Sequence, residues 1–390
     1  MPSATSTETL AEKTSKLSLN KTIVKDENKY STVGTYKANK FATRVLGDDG
    51  ILRLTDEEAA DIKYPDYAPT WDTNEHGEPY QEFEFHDRGL DADPSLKNLF
   101  PTDGSFSKEE LTPKFGTEVK GIQLSQLSNS AKDELALFVA QRGVVVFRDQ
   151  DLAAKGPKFN HEFGEYFGPL HIHPASGAPE GYSTLHLVYR STEVKPNEAI
   201  LKNHGSTVAF HSDVSYEKQP PSITFLAHLE GPTSGGDTVF VDSVTAYERL
   251  SPQFQQIIER LHAVHSGFEQ AENSRKNGGI TRREPVANVH PVVRTNQLTG
   301  KKAIYVNRQF TRDIVDLKKE ESDAILNFLY DHLFSSIDLH VRVKWEENTV
   351  VVWDNRITSH TALLDWDTPL RRHLYRLASR AEVPYLEKQK

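Results

Sequence analysis

One short stretch of the chain suggests both its fold and its chemistry: Phe210-His211-Ser212-Asp213-Val214-Ser215-Tyr216. We interpret it as an extended segment, in which successive side chains alternate between two faces, so His211 and Asp213 should emerge on the same side. One further ligand would complete the two-histidine, one-carboxylate face that binds iron(II) and leaves its other coordination positions open. The stretch therefore predicts two of the three ligands of a metal site.

The third ligand has to come from a distant part of the chain, and His360 is the best candidate. It ends the motif Trp353-Asp354-Asn355-Arg356-Ile357-Thr358-Ser359-His360. A lone histidine–aspartate pair is more often structural, but Thr238 and Arg372 lie downstream of the two ligand segments. A threonine hydroxyl and a guanidinium can clamp a carboxylate, because the arginine fork binds it at two points. These residues predict a dicarboxylic cosubstrate near the metal.

Composition narrows the classes of protein to which this chain can belong. It has 390 residues, 37% of them hydrophobic, which is enough for one large catalytic domain with an extension or for two modest domains. It has no cysteine, so a metal must be held by histidine, carboxylate or water. The formal charge of -10 argues against a nucleic-acid-binding surface. No apolar run is long enough to cross a bilayer and the N-terminus lacks a signal-type core, so we expect a cytoplasmic protein that binds no membrane.

The residue patterns divide the chain into three parts. Residues 1–35 are predicted to form a disordered arm, and residues 36–112, which are irregular but aromatic, should pack on the core as an extension. Residues 113–390 contain many predicted strands, such as those at 144–147 and 349–353, with helices grouped outside them. This organisation favours a mostly β fold with flanking α-helices, built on a double-stranded β-helix, or jelly-roll, core.

Residues 269–287 are charged, contain glycine and have little periodicity. Such a segment suits a mobile cover over a site better than a core element, so we interpret it as a lid. The basic pair Arg282-Arg283 is expected to lie on the solvated surface of this lid.

Several motifs together resemble those of one enzyme family. They are His211-Ser212-Asp213, Gly235-Gly236-Asp237-Thr238, the Trp353 to His360 segment, and Arg371-Arg372 with Arg376. This set is similar to that of the taurine and 2,4-dichlorophenoxyacetate dioxygenases, and it covers roughly residues 113–383. The segments Lys63 to Trp71 and Gln270 to Ser274 make the chain most similar to the fungal sulfonate dioxygenases. The resemblance implies an enzyme that uses iron(II), 2-oxoglutarate and O2.

The resemblance also implies a role for each motif residue. His211, Asp213 and His360 would bind iron, Thr238 and Arg372 would hold the distal carboxylate of 2-oxoglutarate, and His173 and Arg376 would contact the sulfonate of the substrate. The implied reaction hydroxylates the carbon next to the sulfonate and releases sulfite and an aldehyde, with succinate and CO2 as coproducts. We therefore expect a small anionic organic substrate, and a homo-oligomer is compatible with the sequence.

Two positions differ from the bacterial taurine enzymes. Ser176 lies about where those enzymes have a tyrosine near the substrate, and Phe210 replaces the tryptophan before the first ligand. The resemblance therefore implies a sulfonate without singling out taurine.

Other interpretations of the same residues are open. The same chemistry could act on an alkyl sulfate or an organic carboxylate, and a noncatalytic anion-binding protein could have the same fold. His171 and His173, two histidines at strand spacing, could form a separate metal site as in cupins. His265, His290 and His373 are expected to be packing or hydrogen-bonding histidines.

Overall fold

A computed structural model describes residues 44–191, 201, 205–276, 279–366 and 368–387, so the predicted arm at 1–35 lies outside the described residues. The strands are β1 (Arg44–Leu46), β2 (Ile51–Leu54), β3 (Thr70–Asp72), β4 (Ser107–Glu110), β5 (Thr117–Lys120), β6 (Val144–Phe147), β7 (His186–Arg190), β8 (Pro221–Glu230), β9 (Thr238–Asp242), β10 (His262–Ser266), β11 (Ala287–Pro291), β12 (Val293–Thr295), β13 (Lys302–Ile304), β14 (Thr311–Ile314), β15 (His340–Val343), β16 (Val350–Asp354), β17 (Thr358–Ala362) and β18 (Arg372–Arg380). The α-helices are α1 (Asp56–Ala60), α2 (Asn129–Arg142), α3 (Gly156–Glu165), α4 (Ser243–Glu248), α5 (Pro252–Ile258), α6 (Phe268–Lys276) and α7 (Lys319–Ser335). No helix in these ranges is both long enough and apolar enough to span a bilayer.

Two sheets face each other across the interior. The larger has seven strands in the order β4-β5-β6-β16-β8-β18-β7, and the smaller has three in the order β15-β9-β17. Alternate residues of each strand point to opposite faces. On β6, Val144 and Val146 pack toward the smaller sheet with Phe240, whereas Val145 and Phe147 join the cluster on the other face. This arrangement explains why β6 is an unbroken apolar run, because both of its faces are covered.

Helices cover the outer faces of both sheets. Leu135 and Phe138 of α2 pack with Phe163 of α3 on the larger sheet, in the same cluster as Val145. Leu329 of α7 lies in a second cluster, behind the smaller sheet. The fold is therefore sheet-rich with flanking helices, which agrees with the sequence prediction at that level.

The segment before the larger sheet wraps onto it. Strands β1, β2 and β3 form a small antiparallel sheet, and Thr70 of β3 makes a β-bridge to Ala178, with N–H···O distances of 2.8 and 3.0 Å. Strand β4 pairs antiparallel with β5 at the edge of the larger sheet. These contacts bring Trp71 and Arg44 to the wall of the interior cavity.

The stretch at 210–216 is not extended throughout and is not a strand, so that part of the sequence prediction is wrong. Only His211 pairs with another strand, in an isolated antiparallel bridge to His360, and a turn follows from Asp213. The side chain of Asn355 bonds to both the N–H and the C=O of Asp213, at 2.7 and 3.0 Å, in place of a neighbouring strand. Val214 adopts φ 41°, a costly conformation for a β-branched residue that the surrounding contacts must maintain.

Arg356 links three parts of the chain in a buried ion cluster. Its Nε and Nη2 donate to the two carboxylate oxygens of Asp354 at 2.8 Å, and its Nη1 donates to Asp87 Oδ2 at 2.6 Å. The same Nη1 lies 3.4 Å from Glu382 Oε2. Burial by itself would raise the pKa of Asp354, but the charge and hydrogen bonds of Arg356 outweigh it and lower that pKa.

The variant Arg356→Ala is expected to lose about 3–5 kcal/mol of stability, because it leaves buried carboxylates without their partner. Urea denaturation at pH 7 measures the loss. The matched control is Arg308→Ala, whose exposed pair with Asp331 should contribute less than about 1 kcal/mol. Because folding lowers the pKa of Asp354, this carboxylate contributes to the free energy of unfolding at neutral pH. That contribution is lost as the pH falls below about 4. Equal stabilities of the two variants would contradict the prediction.

Candidate active site

A cavity of about 200 Å³ opens between the two sheets. Its wall includes all seven residues that the sequence singled out: His173, His211, Asp213, Thr238, His360, Arg372 and Arg376. In the described ranges, His211, Asp213 and His360 form the one group of three side chains able to hold a metal ion, with ligand atoms within 4.8 Å of one another. The structure thus brings all the predicted site residues to one cavity.

Backbone pairing places the two histidines of this group side by side. The N–H of His211 donates to the carbonyl of His360 at 3.0 Å, and the N–H of His360 donates back at 2.8 Å. Their ring centroids are 4.4 Å apart. The turn after His211 then brings Asp213 Oδ1 to 3.5 Å from His211 Nε2 and 3.9 Å from His360 Nε2.

The tautomer of His211 and the charge states of His360 and Asp213 suit a divalent cation. His211 Nδ1 lies 2.9 Å from the carbonyl of Ala209, so it carries the proton and leaves the Nε2 lone pair for a metal. Burial, together with His211, lowers the pKa of His360 to about 3, so its ring is neutral. Burial would raise the pKa of Asp213, but Arg376, His360 and His211 outweigh it and hold the pKa well below its usual range. In addition, Asp213 Oδ2 has no hydrogen-bond partner among the described residues. The donor set therefore fits iron(II).

Asn355 is a functional candidate that the sequence analysis did not assign. Its two bonds to the backbone of Asp213 fix the turn that presents the carboxylate. The sequence feature that could have indicated this role is the place of Asn355 in the motif that ends at His360. The motif does not reveal its partner, because Asp213 lies 142 residues away.

Strand β18 carries two cations on the face that lines the cavity. Arg372 and Arg376 are four residues apart, which on a strand corresponds to about 13 Å. Arg376 Nη1 donates to Asp213 Oδ1 at 2.5 Å, so this guanidinium lies beside the metal group. Arg372 lies farther along, and its Nη2 donates to the carbonyl of Gly236 at 3.0 Å. The spacing allows the two arginines to hold two different anions.

Thr238 lies on β9, in the same cavity as Arg372. Trp345 Nε1 donates to its hydroxyl oxygen at 3.1 Å, which orients the hydroxyl proton away from the indole. Burial and the charge of Arg190 lower the pKa of Arg372, while Asp237 and Asp365 oppose that shift. A bound carboxylate would offset this cost of burying the guanidinium.

His173 has a defined tautomer. Its Nδ1 accepts the backbone N–H groups of Ala175 and Ser176 at 3.2 and 3.0 Å, and a backbone N–H can only donate. The ring proton of the neutral imidazole is therefore on Nε2. Burial lowers the pKa of His173 well below its usual value, so the ring is neutral.

The other histidines do not join the metal group in the described part of the chain. His171 Nε2 lies 3.0 Å from Glu217 Oε1, so His171 belongs to a buried ion network and not to a second site with His173. His265, His290 and His373 are fully buried among other side chains, as expected.

The basic pair at the end of the predicted lid is buried, so its assignment to a solvated surface is wrong. Arg283 Nη2 donates to Glu217 Oε1 at 2.7 Å, and Arg282 Nε donates to Glu75 Oε2 at 2.7 Å. Both carboxylates are remote in sequence, so no local pattern could reveal the pairing. The lid itself remains a prediction; its first half is helix α6, and positions 277–278 lie outside the described residues.

Comparisons with known proteins identify the family of the chain. Residues 107–378 match the family described as "Taurine catabolism dioxygenase TauD, TfdA family". A relative from Saccharomyces cerevisiae named "Alpha-ketoglutarate-dependent sulfonate dioxygenase" is 48% identical over 341 residues, which are 87% of this chain and 83% of the relative. An "Alkylsulfatase" from Acinetobacter baylyi is 30% identical over 270 residues, 66% of this chain and 80% of that protein.

A solved structure is also similar. It is titled as a putative alpha-ketoglutarate-dependent taurine dioxygenase from Burkholderia xenovorans, and the match has a TM-score of 0.60 and 26% identity over 73% of this chain and 96% of that one. The family match spans most of the chain, and the similarity to the yeast relative extends over 87% of it. This protein therefore belongs to the taurine catabolism dioxygenase (TauD, TfdA) family.

Proposed function

We propose that this protein is an iron(II)- and 2-oxoglutarate-dependent dioxygenase that hydroxylates the carbon next to a sulfonate. The products would be sulfite and an aldehyde, with succinate and CO2 as coproducts. The observation that carries the proposal is the meeting of His211, Asp213 and His360 in a cavity that also contains two arginines of β18. The name of the yeast relative supports a sulfonate as the substrate class.

In this proposal, His211, Asp213 and His360 hold iron(II). When bound there, iron(II) supplies oxygen activation coupled to the oxidative decarboxylation of 2-oxoglutarate. Thr238 and Arg372 bind the distal carboxylate of the cosubstrate, because a guanidinium and a hydroxyl match its oxygens. Asn355 keeps the turn at Asp213 in the conformation that presents the carboxylate.

The substrate sulfonate binds to Arg376 and His173. Because Arg376 is held by Asp213 at 2.5 Å, an anion on its guanidinium lies close to the metal group. The carbon next to that anion is then positioned for reaction, and the walls of the cavity limit the access of water. Asp213 thus has two roles, as a ligand and as the anchor of the substrate cation.

The proposal also covers the fold and the domain organisation. The two facing sheets, β4-β5-β6-β16-β8-β18-β7 and β15-β9-β17, would be the two halves of a jelly roll, with residues 113–390 as the catalytic domain and 36–112 as an extension that closes one side. The cytoplasmic location and the homo-oligomer remain predictions from the sequence.

An alkyl sulfate is the second candidate substrate. The same cations could hold a sulfate monoester, and the name of the Acinetobacter relative favours this possibility over an organic carboxylate. Hydroxylation of the carbon next to the ester oxygen would release sulfate, instead of sulfite, together with an aldehyde.

The test is oxygen and 2-oxoglutarate consumption by the purified protein with iron(II), across alkanesulfonates, alkyl sulfates and aryloxy acids. Sulfite release with at least one sulfonate is the expected result. Release of sulfate alone would assign the enzyme to alkyl sulfates, and turnover with carboxylates alone would assign it to organic acids. If no anion stimulates 2-oxoglutarate consumption, a noncatalytic binding protein becomes the better account.

A further inference from the structure

His186 is a polar residue of the cavity wall to which the proposed function gives no role. It lies on β7 directly opposite Arg376 of β18 in the strand register. Directly opposed side chains on one face of a sheet have Cβ atoms about 5 Å apart. The His186 ring is also 4.3 Å, centroid to centroid, from the ring of His173. It therefore adjoins both groups that are assigned to the substrate anion.

The hydrogen bonding of His186 is incomplete. Its Nδ1 is buried and has no hydrogen-bond partner among the described residues, while the side chain as a whole is only partly buried and lines the cavity. A proton on Nδ1 would meet no acceptor there, so the favoured tautomer has the proton on Nε2. Burial and the charge of Arg376 lower the pKa of His186 well below its usual value, so the ring is neutral and offers one N–H. An apolar side chain would fill this place without leaving a polar atom unpaired.

We propose that His186 is a third contact for the substrate, and that His173, His186 and Arg376 form one subsite selective for a tetrahedral –SO3⁻ group. This inference rests on the proposed function and adds a determinant of its specificity. A sulfonate or sulfate group has three terminal oxygens that point in different directions, whereas a carboxylate has two in one plane. Three donors on three different side chains can each meet one oxygen of the tetrahedral group. The acceptor sites of a carboxylate lie in one plane, so donors arranged around a tetrahedral group fit them less well.

The arrangement of β7 and β18 supports this division. On the same face, Val188 lies opposite Leu374, and Arg190 lies opposite Arg372. An apolar pair thus separates the imidazole–arginine pair beside the metal group from the arginine–arginine pair at the far end of the cavity. The two pairs therefore form two separate polar subsites, and His186 belongs to the subsite beside Asp213.

The experiment compares His186→Phe, which keeps a ring but loses the donor, with His186→Gln, whose amide nitrogen reaches about the position of Nε2. Val188→Ala, on the same strand face but without a polar atom, is the matched control. Kinetics use the best sulfonate of the substrate panel and the carboxylate with the same carbon chain. Calorimetry measures the Kd of the same two anions with zinc-loaded, 2-oxoglutarate-saturated protein, and thermal melting checks folding.

For His186→Phe we expect the KM and the Kd for the sulfonate to rise about tenfold or more, the range expected when a hydrogen bond to a charged group is lost. The carboxylate should lose less than about threefold, and the KM for 2-oxoglutarate should not change. His186→Gln should recover most of the sulfonate affinity, and Val188→Ala should leave the sulfonate-to-carboxylate ratio unchanged. Equal losses for both anions, or no loss, would overturn the inference. Failure of the wild type to release sulfite or sulfate from any substrate would instead refute the proposed function, and the inference with it.

Discussion

Replacing Asp213 or His211 by alanine is expected to abolish sulfite release and to lower metal affinity by more than about a hundredfold. Loss of groups that only orient a metal ligand already costs about 10–100-fold, and these residues are proposed as ligands. The loss for Asp213→Ala has a second cause, because Arg376 also loses the carboxylate that its Nη1 contacts at 2.5 Å. Metal content after anaerobic reconstitution with iron(II), measured beside sulfite release, separates loss of metal from loss of substrate binding.

A histidine outside the cavity provides the control for that prediction. His76 is exposed, and His76→Ala should keep the metal content and turnover of the wild type. Substantial sulfite release by purified His211→Ala or Asp213→Ala, with iron supplied, would refute the ligand assignment. The thermal unfolding of each variant shows whether it is folded when the metal is measured.

Replacing Arg372 by alanine is expected to raise the KM for 2-oxoglutarate about a hundredfold and to change the KM for the sulfonate little. The buried guanidinium is proposed to hold a carboxylate at two points, and truncation of one partner of a buried charge pair costs about 2–5 kcal/mol. Arg376→Ala should have the opposite pattern, with a large rise in the KM for the sulfonate. The reason is the separation of about 13 Å along β18, which assigns each cation to a different anion.

The neighbouring Arg371 is the matched control for Arg372. Its Nη1 donates to the carbonyl of Asp61 at 2.7 Å and its Nε to the hydroxyl of Tyr189 at 3.1 Å, so it holds the N-terminal segment and does not line the cavity. Arg371→Ala should therefore leave the KM for 2-oxoglutarate within about threefold of the wild type, at a cost in stability. If the two variants raise that KM equally, Arg372 is not the specific carboxylate contact.

Part of this site follows from local sequence patterns. The apolar run at 144–147 predicts a strand covered on both faces, and β6 is such a strand. The motif resemblance singled out the three residues that form the candidate metal group. The prediction of β6 succeeds because the alternation of side chains along a strand depends only on the covalent geometry of the backbone.

The assumption of strand-like alternation gave the wrong local structure at His211 and Asp213. They do converge, but through a turn held by the side chain of Asn355, which lies 142 residues from Asp213. A side-chain clamp of this kind replaces the hydrogen bonds of a neighbouring strand, and residues 210–216 contain no trace of it. Thus the sequence identified the residues of the site, but it did not predict the backbone conformation that brings them together.

By itself, the sequence determined which side chains can serve as ligands and cations and which strands have two covered faces. Only the tertiary structure decided that Arg283 is buried against Glu217, that Arg376 contacts Asp213, and that His186 lies beside both Arg376 and His173. The physical reason is that an ion pair or a strand register joins segments far apart in the chain. Its energy depends on their distance and burial in the folded protein, and neither quantity leaves a periodic pattern in the local sequence.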